Sequence, residues 1–230
     1  MANPLHRRAQ ADAIRERAGA PSAPPGFEIV EAMAGMGKTS LVAKVRRVSD
    51  GALFAWKLGV SDAAETRVAM REQVERSHEW VRLGVSRSIS IWSSDGRTLL
   101  QPWVEGDTLR AAMTSSQMLT NAADPRHAAL LQMLKRLAAA RRFVTGLNAM
   151  NLIYDGATWQ FVDSDEIREY ATASEAWDRQ RHDLCRKWTR GPLAEHRADV
   201  EAFLAAADAA IDLPRPPFSL RRLWRRLRGR

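Results

Sequence analysis

The stretch GMGKTSLVAKVRRVSDGALFAWK, residues 35–57, constrains the fold more than any other part of the chain. Its beginning admits two readings. Ala32-x4-Gly37-Lys38-Thr39 is close to a P-loop, in which Lys38 grips phosphates and a helix begins after Thr39 to present its amides. Read from Gly35, the same letters give Gly35-x-Gly37-x-x-Ser40-x-Val42, a glycine-rich turn joining two strands. Residues 41–57 favour the second reading. Leu41 to Val48 is rich in β-branched residues and runs into Ser49-Asp50-Gly51-Ala52, a hairpin signature, after which Leu53 to Lys57 reads as a strand. In this reading the glycines at 35 and 37 let backbone amides approach a phosphate that a Cβ would hold away. Lys57, fixed on a strand, is placed more rigidly than a loop lysine.

The rest of the chain divides by pattern. Residues 1–25 predict a polar, alanine-rich helix and a stiff linker ending in Pro24-Pro25. Strand-like runs are Phe27 to Glu31, Leu41 to Val48, Leu53 to Leu58, Ser88 to Trp92 and Thr98 to Val104, with a helix over Ala63 to Leu83. From Thr108 helix dominates: Pro125 to Arg142, then roughly 172–189 and 193–211, interrupted by a hairpin of Leu152–Tyr154 and Trp159–Val162 about Asp155-Gly156. A sheet with one inserted helix, ahead of a mostly helical half, predicts an α+β fold rather than alternating βαβ. The 230 residues suffice for one large domain or two small lobes around a cleft.

The segment from Gly35 to Lys57 resembles, without gaps, the first three strands of a protein kinase. The resemblance implies a two-lobed kinase-like domain over 26–212. Its N-lobe, about 26–103, would be an antiparallel sheet plus one helix, and its reduced helical C-lobe would cover about 104–212. It implies ATP as ligand, with Gly35, Gly37 and Ser40 (in place of the third glycine) around the phosphates. Val42 would cover the adenine, Ala55 would line the same pocket and Lys57 would bind the α- and β-phosphates. The family pairs that lysine with a helical glutamate. With Val74 as origin and about 100° per residue, Met70, Ser77 and Val81 fall within about 60° and form the expected buried stripe. Glu75 lies nearest it and is the expected partner, with Glu72 in reserve, while Glu72 and Glu79 point further towards solvent. LLQPWVEGDTL, residues 99–109, is similar to the interlobe hinge. Backbone groups at Pro102, Trp103 and Val104 would meet the adenine edge, and Pro102 has no amide to offer. Asp107 would accept from the ribose hydroxyls, unless Asp107 or Thr108 caps the next helix.

RFVTGLNAMNLIYDGATWQFVD, residues 142–163, resembles the kinase catalytic loop, hairpin and metal-binding aspartate. Asn151 and Asp163 match the two residues that hold magnesium. Counting back from Asn151, the His-Arg-Asp of the family falls on Val144, Thr145 and Gly146, so the carboxylate that accepts the substrate proton is absent. Asn148 or Asp165 could position a nucleophile instead. Alternatively, loose phosphoryl transfer proceeds slowly without a base, or the domain is a pseudokinase that binds nucleotide and scaffolds a partner. A P-loop NTPase is the third option. No Ala-Pro-Glu motif or long activation segment comes after Asp163. This implies an acceptor other than protein: a sugar, a lipid-linked saccharide or a small hydroxyl compound.

Composition adds bounds. No apolar run reaches the roughly 18 residues of a spanning helix, and residues 1–20 lack the apolar core of a secretory signal, which predicts a cytoplasmic protein. The single cysteine, Cys185, is expected as a small buried apolar residue. The net charge of +8 is local: without the six arginines of RRLWRRLRGR, residues 221–230, it falls to +2, which argues against a nucleic-acid-binding body. In the tail, 213–230, Leu220, Leu223, Trp224 and Leu227 recur at helical spacing among arginines. That pattern predicts a peripheral helix on an anionic membrane face, or a docking segment for a partner.

Overall fold

The hairpin signature at residues 49–52 forms the turn its residues call for. The Arg47 amide donates to the Ala52 carbonyl at 2.8 Å, and Gly51 supplies the positive φ, 73°. The Asp50 carboxylate accepts from the Ala52 amide at 3.1 Å and from the Arg47 guanidinium at 2.8 Å. Arg47 beside it, with the Ala52 amide, holds the Asp50 carboxyl down at about 2.

A computed structural model of the chain describes residues 23–36, 40–59, 64–92, 98–163 and 166–211. The predicted N-terminal helix, Gly37, Lys38, Thr39, Asp165 and the basic tail lie outside the described residues. The fold is α+β and separates into two compact units. One takes in the chain up to His78 together with Ser88–Trp103; the other takes in Glu79–Arg87 and the chain from Val104 onward.

The first unit holds an antiparallel sheet of five strands: β1 (Phe27–Met36), β2 (Ser40–Arg47), β3 (Leu53–Gly59), β4 (Ile91–Trp92) and β5 (Thr98–Pro102), in the order β1-β2-β3-β5-β4. The residues directly after Thr39 are therefore a strand paired on both sides, not a helix, which overturns the P-loop reading. Period-two alternation buries Leu41, Ala43 and Val45 of β2, while Val45 faces Phe54 and Ala43 faces Trp56 across the ladder. Ala43, Val45, Phe54 and Trp56, with Phe27, Ile29, Leu58 and Leu100 against them, form the unit's apolar cluster. Burying each large one is worth about 1.5–3 kcal/mol. β4 and β5 are shorter than the runs Ser88–Trp92 and Thr98–Val104. Beyond Pro102 the Trp103 amide still donates to Leu53 at 2.9 Å.

Helix α1 (Ala64–Arg82) buries Met70, Ser77 and Trp80, with Gln73 and Val74 partly covered. The buried stripe is thus rotated from the expected one, centred near Gln73 and Ser77 rather than on Val74. Its last turn, Glu79–Arg82, belongs to the second unit.

In the second unit β6 (Asp107–Thr108), β8 (Leu152–Tyr154) and β9 (Trp159–Phe161) form a three-stranded antiparallel sheet in the order β6-β8-β9. β7 (Arg142–Val144) pairs with β10 (Ile167–Glu169). Helices α2 (Leu109–Ser115), α3 (Pro125–Ala139), α4 (Ala173–Trp188) and α5 (Arg197–Ile211) surround a core that includes Leu130, Leu134, Leu137, Phe161, Leu184, Trp188 and Phe203. The helix expected to reach Arg142 stops at Ala139. There the Ala140 amide closes on the Arg136 carbonyl at 2.9 Å, and Arg141, at φ 57°, turns the chain into β7. The last predicted helix, 193–211, begins instead as a 3-10 segment, Gly191–His196, with proline in its first turn. Cys185 is only partly buried, at the edge of the core. Among the described residues no helix is long and apolar enough to cross a membrane.

Candidate functional site

Two constellations stand out, one in each unit. In the first, sheet register sets the geometry. Gly35 faces Val42, Val42 faces Lys57 and Lys57 faces Leu99, so these residues share one row across the sheet. The next row on the same face is Lys44, Ala55 and Gln101. Gly35, Val42, Ala55 and Lys57 are therefore together on one surface, opposite the aromatic cluster. Lys57 is 6% exposed on the central strand of the sheet. A buried ammonium is costly unless it meets polar or anionic groups, and that is what a phosphate-binding lysine requires.

No sequence pattern singles out Gln101. It is 1% exposed, and neither atom of its amide has a hydrogen-bond partner among the described residues. At the end of β5, Trp103 stacks under the Lys44 ammonium, 4.7 Å from the ring centroid. Its amide is engaged by Leu53, and Pro102 has none, so Val104 offers the next amide along this segment. Gly37 lies outside the described residues; Ser40 is partly buried at the first position of β2, across from Gly59.

Glu75 is exposed. Once the buried arc of α1 is centred near Gln73 and Ser77, Glu75 falls about 180° from it. The expectation that it lies nearest the buried stripe is corrected accordingly. Glu72 is also on the solvent side, paired with Arg76 at 3.3 Å. Glu79, expected to point further out, is the better covered: Arg142 holds it at 2.9 Å and contacts Glu169 at 2.7 Å with its other arm. Asp107 is exposed in β6, across from Tyr154, and it is Thr108 whose hydroxyl accepts from the Ala111 amide at 3.1 Å to cap α2.

In the second unit the segment 144–151 is held along its length. Gln180 of α4 accepts from the Val144 amide at 2.9 Å and donates to its carbonyl at 3.3 Å. The Trp188 indole donates to the Leu147 carbonyl at 3.0 Å. The Asn148 side-chain oxygen accepts from the amides of Met150, at 2.9 Å, and Asn151, at 3.1 Å, closing the turn. Asn148 is thus committed through Oδ1 to shaping the loop.

Asn151 donates from Nδ2 to the carbonyls of Gly146, at 3.1 Å, and Asp163, at 2.8 Å, while the Val162 amide donates to its backbone carbonyl at 3.0 Å. Two carbonyl acceptors fix which end of the amide is nitrogen. With Nδ2 so engaged, Oδ1 is the end of the side chain left to a ligand, and Asp163 lies directly beyond β9. Asn151 and Asp163 are brought together by these bonds. Their hard oxygens are of the type magnesium takes. Among the described residues no group of three or more His, Cys, Asp or Glu side chains is placed to hold a metal ion. Gly146 is buried, and between Val144 and Asn151 the segment carries no carboxylate.

Gln180 and Trp188 are legible only from coordinates, because both reach the loop from about 40 residues away. Gln101 leaves one visible mark, a polar residue inside the apolar run Leu99-Leu100-Gln101-Pro102-Trp103. No protein-family model matches the chain, and no curated protein matches it.

Proposed function

We propose that the chain is an ATP-dependent phosphotransferase of two-lobed, kinase-like fold, acting on a sugar, a lipid-linked saccharide or another small hydroxyl compound. The observation that carries this reading is the row Gly35–Val42–Lys57 beside Ala55, with Lys57 buried on a central strand. The glycine admits a phosphate close to the backbone, Val42 and Ala55 give an apolar surface for a purine, and Lys57 neutralises phosphate charge. Because Glu75 is exposed, on the face of α1 away from its buried stripe, this reading assigns it no part in orienting Lys57. Asn151 Oδ1 and the Asp163 carboxylate would hold magnesium, which when bound offsets charge on the phosphates.

In the transfer, the acceptor oxygen bonds to the γ-phosphorus as the bond to the ADP oxygen breaks. With Gly146 where a base would stand, the acceptor proton leaves to solvent or to the transferred phosphoryl group. The loose transition state makes this slow rather than impossible.

A second reading, a pseudokinase that binds nucleotide and scaffolds a membrane-associated partner, draws support from the commitment of Asn148 Oδ1 to the loop turn and from the absence of a carboxylate between residues 144 and 151. Two measurements separate the readings. ATP should raise the thermal midpoint of the full chain but not of Lys57→Met; absence of a shift in the wild type refutes both. Labelled phosphate should pass from ATP to a hydroxyl acceptor only with magnesium, and Asp163→Ala should abolish transfer. Tight ATP binding without any transfer selects the scaffold.

A further inference from the structure

The buried amide of Gln101 is unexplained by packing. An amide in the interior with neither its donor nor its acceptor used is costly, and an apolar residue of similar shape would serve a merely structural strand better. Its position narrows what it is for. Gln101 lies across the ladder from Ala55, in the row next to the one holding Val42 and Lys57. It immediately precedes Pro102 and Trp103, which offer no amide: one is a proline and the other is engaged by Leu53. This end of the surface is therefore short of backbone amide donors at the place where a flat ring against Val42 and Ala55 would present its edge.

Resting on the nucleotide-binding reading above, we propose that Gln101 is a specificity residue that reads the purine by its N7/N6 edge. The carboxamide offers one donor and one acceptor side by side. Adenine presents the complement there, an N7 acceptor and an N6 amino donor, whereas guanine presents two acceptors, N7 and O6. Either orientation of the Gln101 amide then sets its oxygen against an acceptor of guanine. A paired amide–adenine contact of this kind discriminates roughly five- to hundred-fold between bases. Gln101 takes no part in the transfer itself.

The test uses the full chain and three probes, ATP, GTP and 7-deaza-ATP, each titrated by calorimetry against the wild type and Gln101→Met. 7-Deaza-ATP keeps the Watson–Crick edge and removes only the N7 acceptor, so it isolates the proposed contact. The wild type should bind ATP at least about five-fold more tightly than 7-deaza-ATP and GTP. In Gln101→Met the ATP to 7-deaza-ATP ratio should fall to about one, and the preference over GTP should shrink. Without ligand the variant should melt no lower than the wild type, because the substitution removes an unsatisfied amide.

Equal wild-type binding of ATP and 7-deaza-ATP overturns the inference and leaves the nucleotide reading standing. So does a ratio unchanged in the variant, or a variant that melts well below the wild type or fails to fold, since the amide would then have a structural partner. Failure of the wild type to bind any of the three overturns the nucleotide reading, and the inference with it.

Discussion

Replacing Gln180 with leucine isolates the support beneath the 144–151 segment. Gln180 is 1% exposed, accepting from the Val144 amide at 2.9 Å and donating to the Val144 carbonyl at 3.3 Å. Leucine keeps most of the volume and orphans two buried backbone groups. Each orphan costs about 1–3 kcal/mol, and the more apolar side chain returns about 1–2 kcal/mol, so a net loss of roughly 1–4 kcal/mol is expected. Urea unfolding followed by tryptophan fluorescence reads this as a lower midpoint at unchanged slope.

Glutamate at the same position adds a pH signature. Its carboxylate accepts from the Val144 amide but meets the Val144 carbonyl with an acceptor, so burial and that carbonyl raise its folded pKa. For a raised carboxyl pKa, the stabilising protonated form is fully present below the unfolded value of about 4.3 and is lost as pH rises through the folded value. The deficit of Gln180→Glu against the wild type should therefore be smaller at pH 4 than at pH 7. A Gln180→Leu midpoint equivalent to a loss below about 0.5 kcal/mol, or a glutamate deficit equal at both pH values, would refute the reasoning.

Trp188→Phe should cost about 2–3 kcal/mol in urea, from the orphaned Leu147 carbonyl and the smaller ring. Gly106→Ala should cost about 3 kcal/mol or more: a Cβ at φ 142° would stand 1.9 Å from the Tyr154 carbonyl oxygen. Gly51→Ala, at φ 73° with nothing within 4 Å of the added carbon, should cost only about 1 kcal/mol. At Asp155 burial pushes the carboxyl up, but the amides of Thr158 and Ala157, Arg87 and Gln160 more than offset it and hold its pKa below the usual range. Its contribution is present above the unfolded pKa of about 3.9 and lost as pH falls through the lower folded value. The urea midpoints of wild type and Asp155→Asn should thus differ at pH 7 and converge near pH 2.

Local chemistry makes the sheet readable. Asp50-Gly51 and the alternation of β2 and β3 predict a hairpin from neighbouring residues alone, and the same alternation puts Val42, Ala55 and Lys57 on one face. Elements that exist only through a distant partner are not legible in this way. β7 is a strand because β10 pairs with it some 25 residues later, and its start is set by a left-handed Arg141 that no sequence rule requires. The face of α1 misleads for a related reason: Met70 and Ser77 are buried as the stripe about Val74 predicts, yet Trp80 extends the burial to the side away from Glu75, which is misplaced accordingly. In the loop, Asn151 and Asp163 stand out in the sequence only through the resemblance to a kinase catalytic loop, whereas the support of their segment by Gln180 and Trp188 depends on where α4 packs.

The doubly bonded amide of Asn151 has a thermodynamic consequence. An ordinary surface asparagine must surrender rotamer freedom when it ligates an ion, at about 0.5–1.5 kcal/mol. Here the contacts to the carbonyls of 146 and 163 hold the side chain in place, so a cation bound at Oδ1, as proposed, would not meet that entropic penalty again. An aspartate would add charge yet turn two attractive contacts into repulsions and loosen the side chain at the proposed site. Rigidity, more than charge, is what this position would contribute to the proposed site.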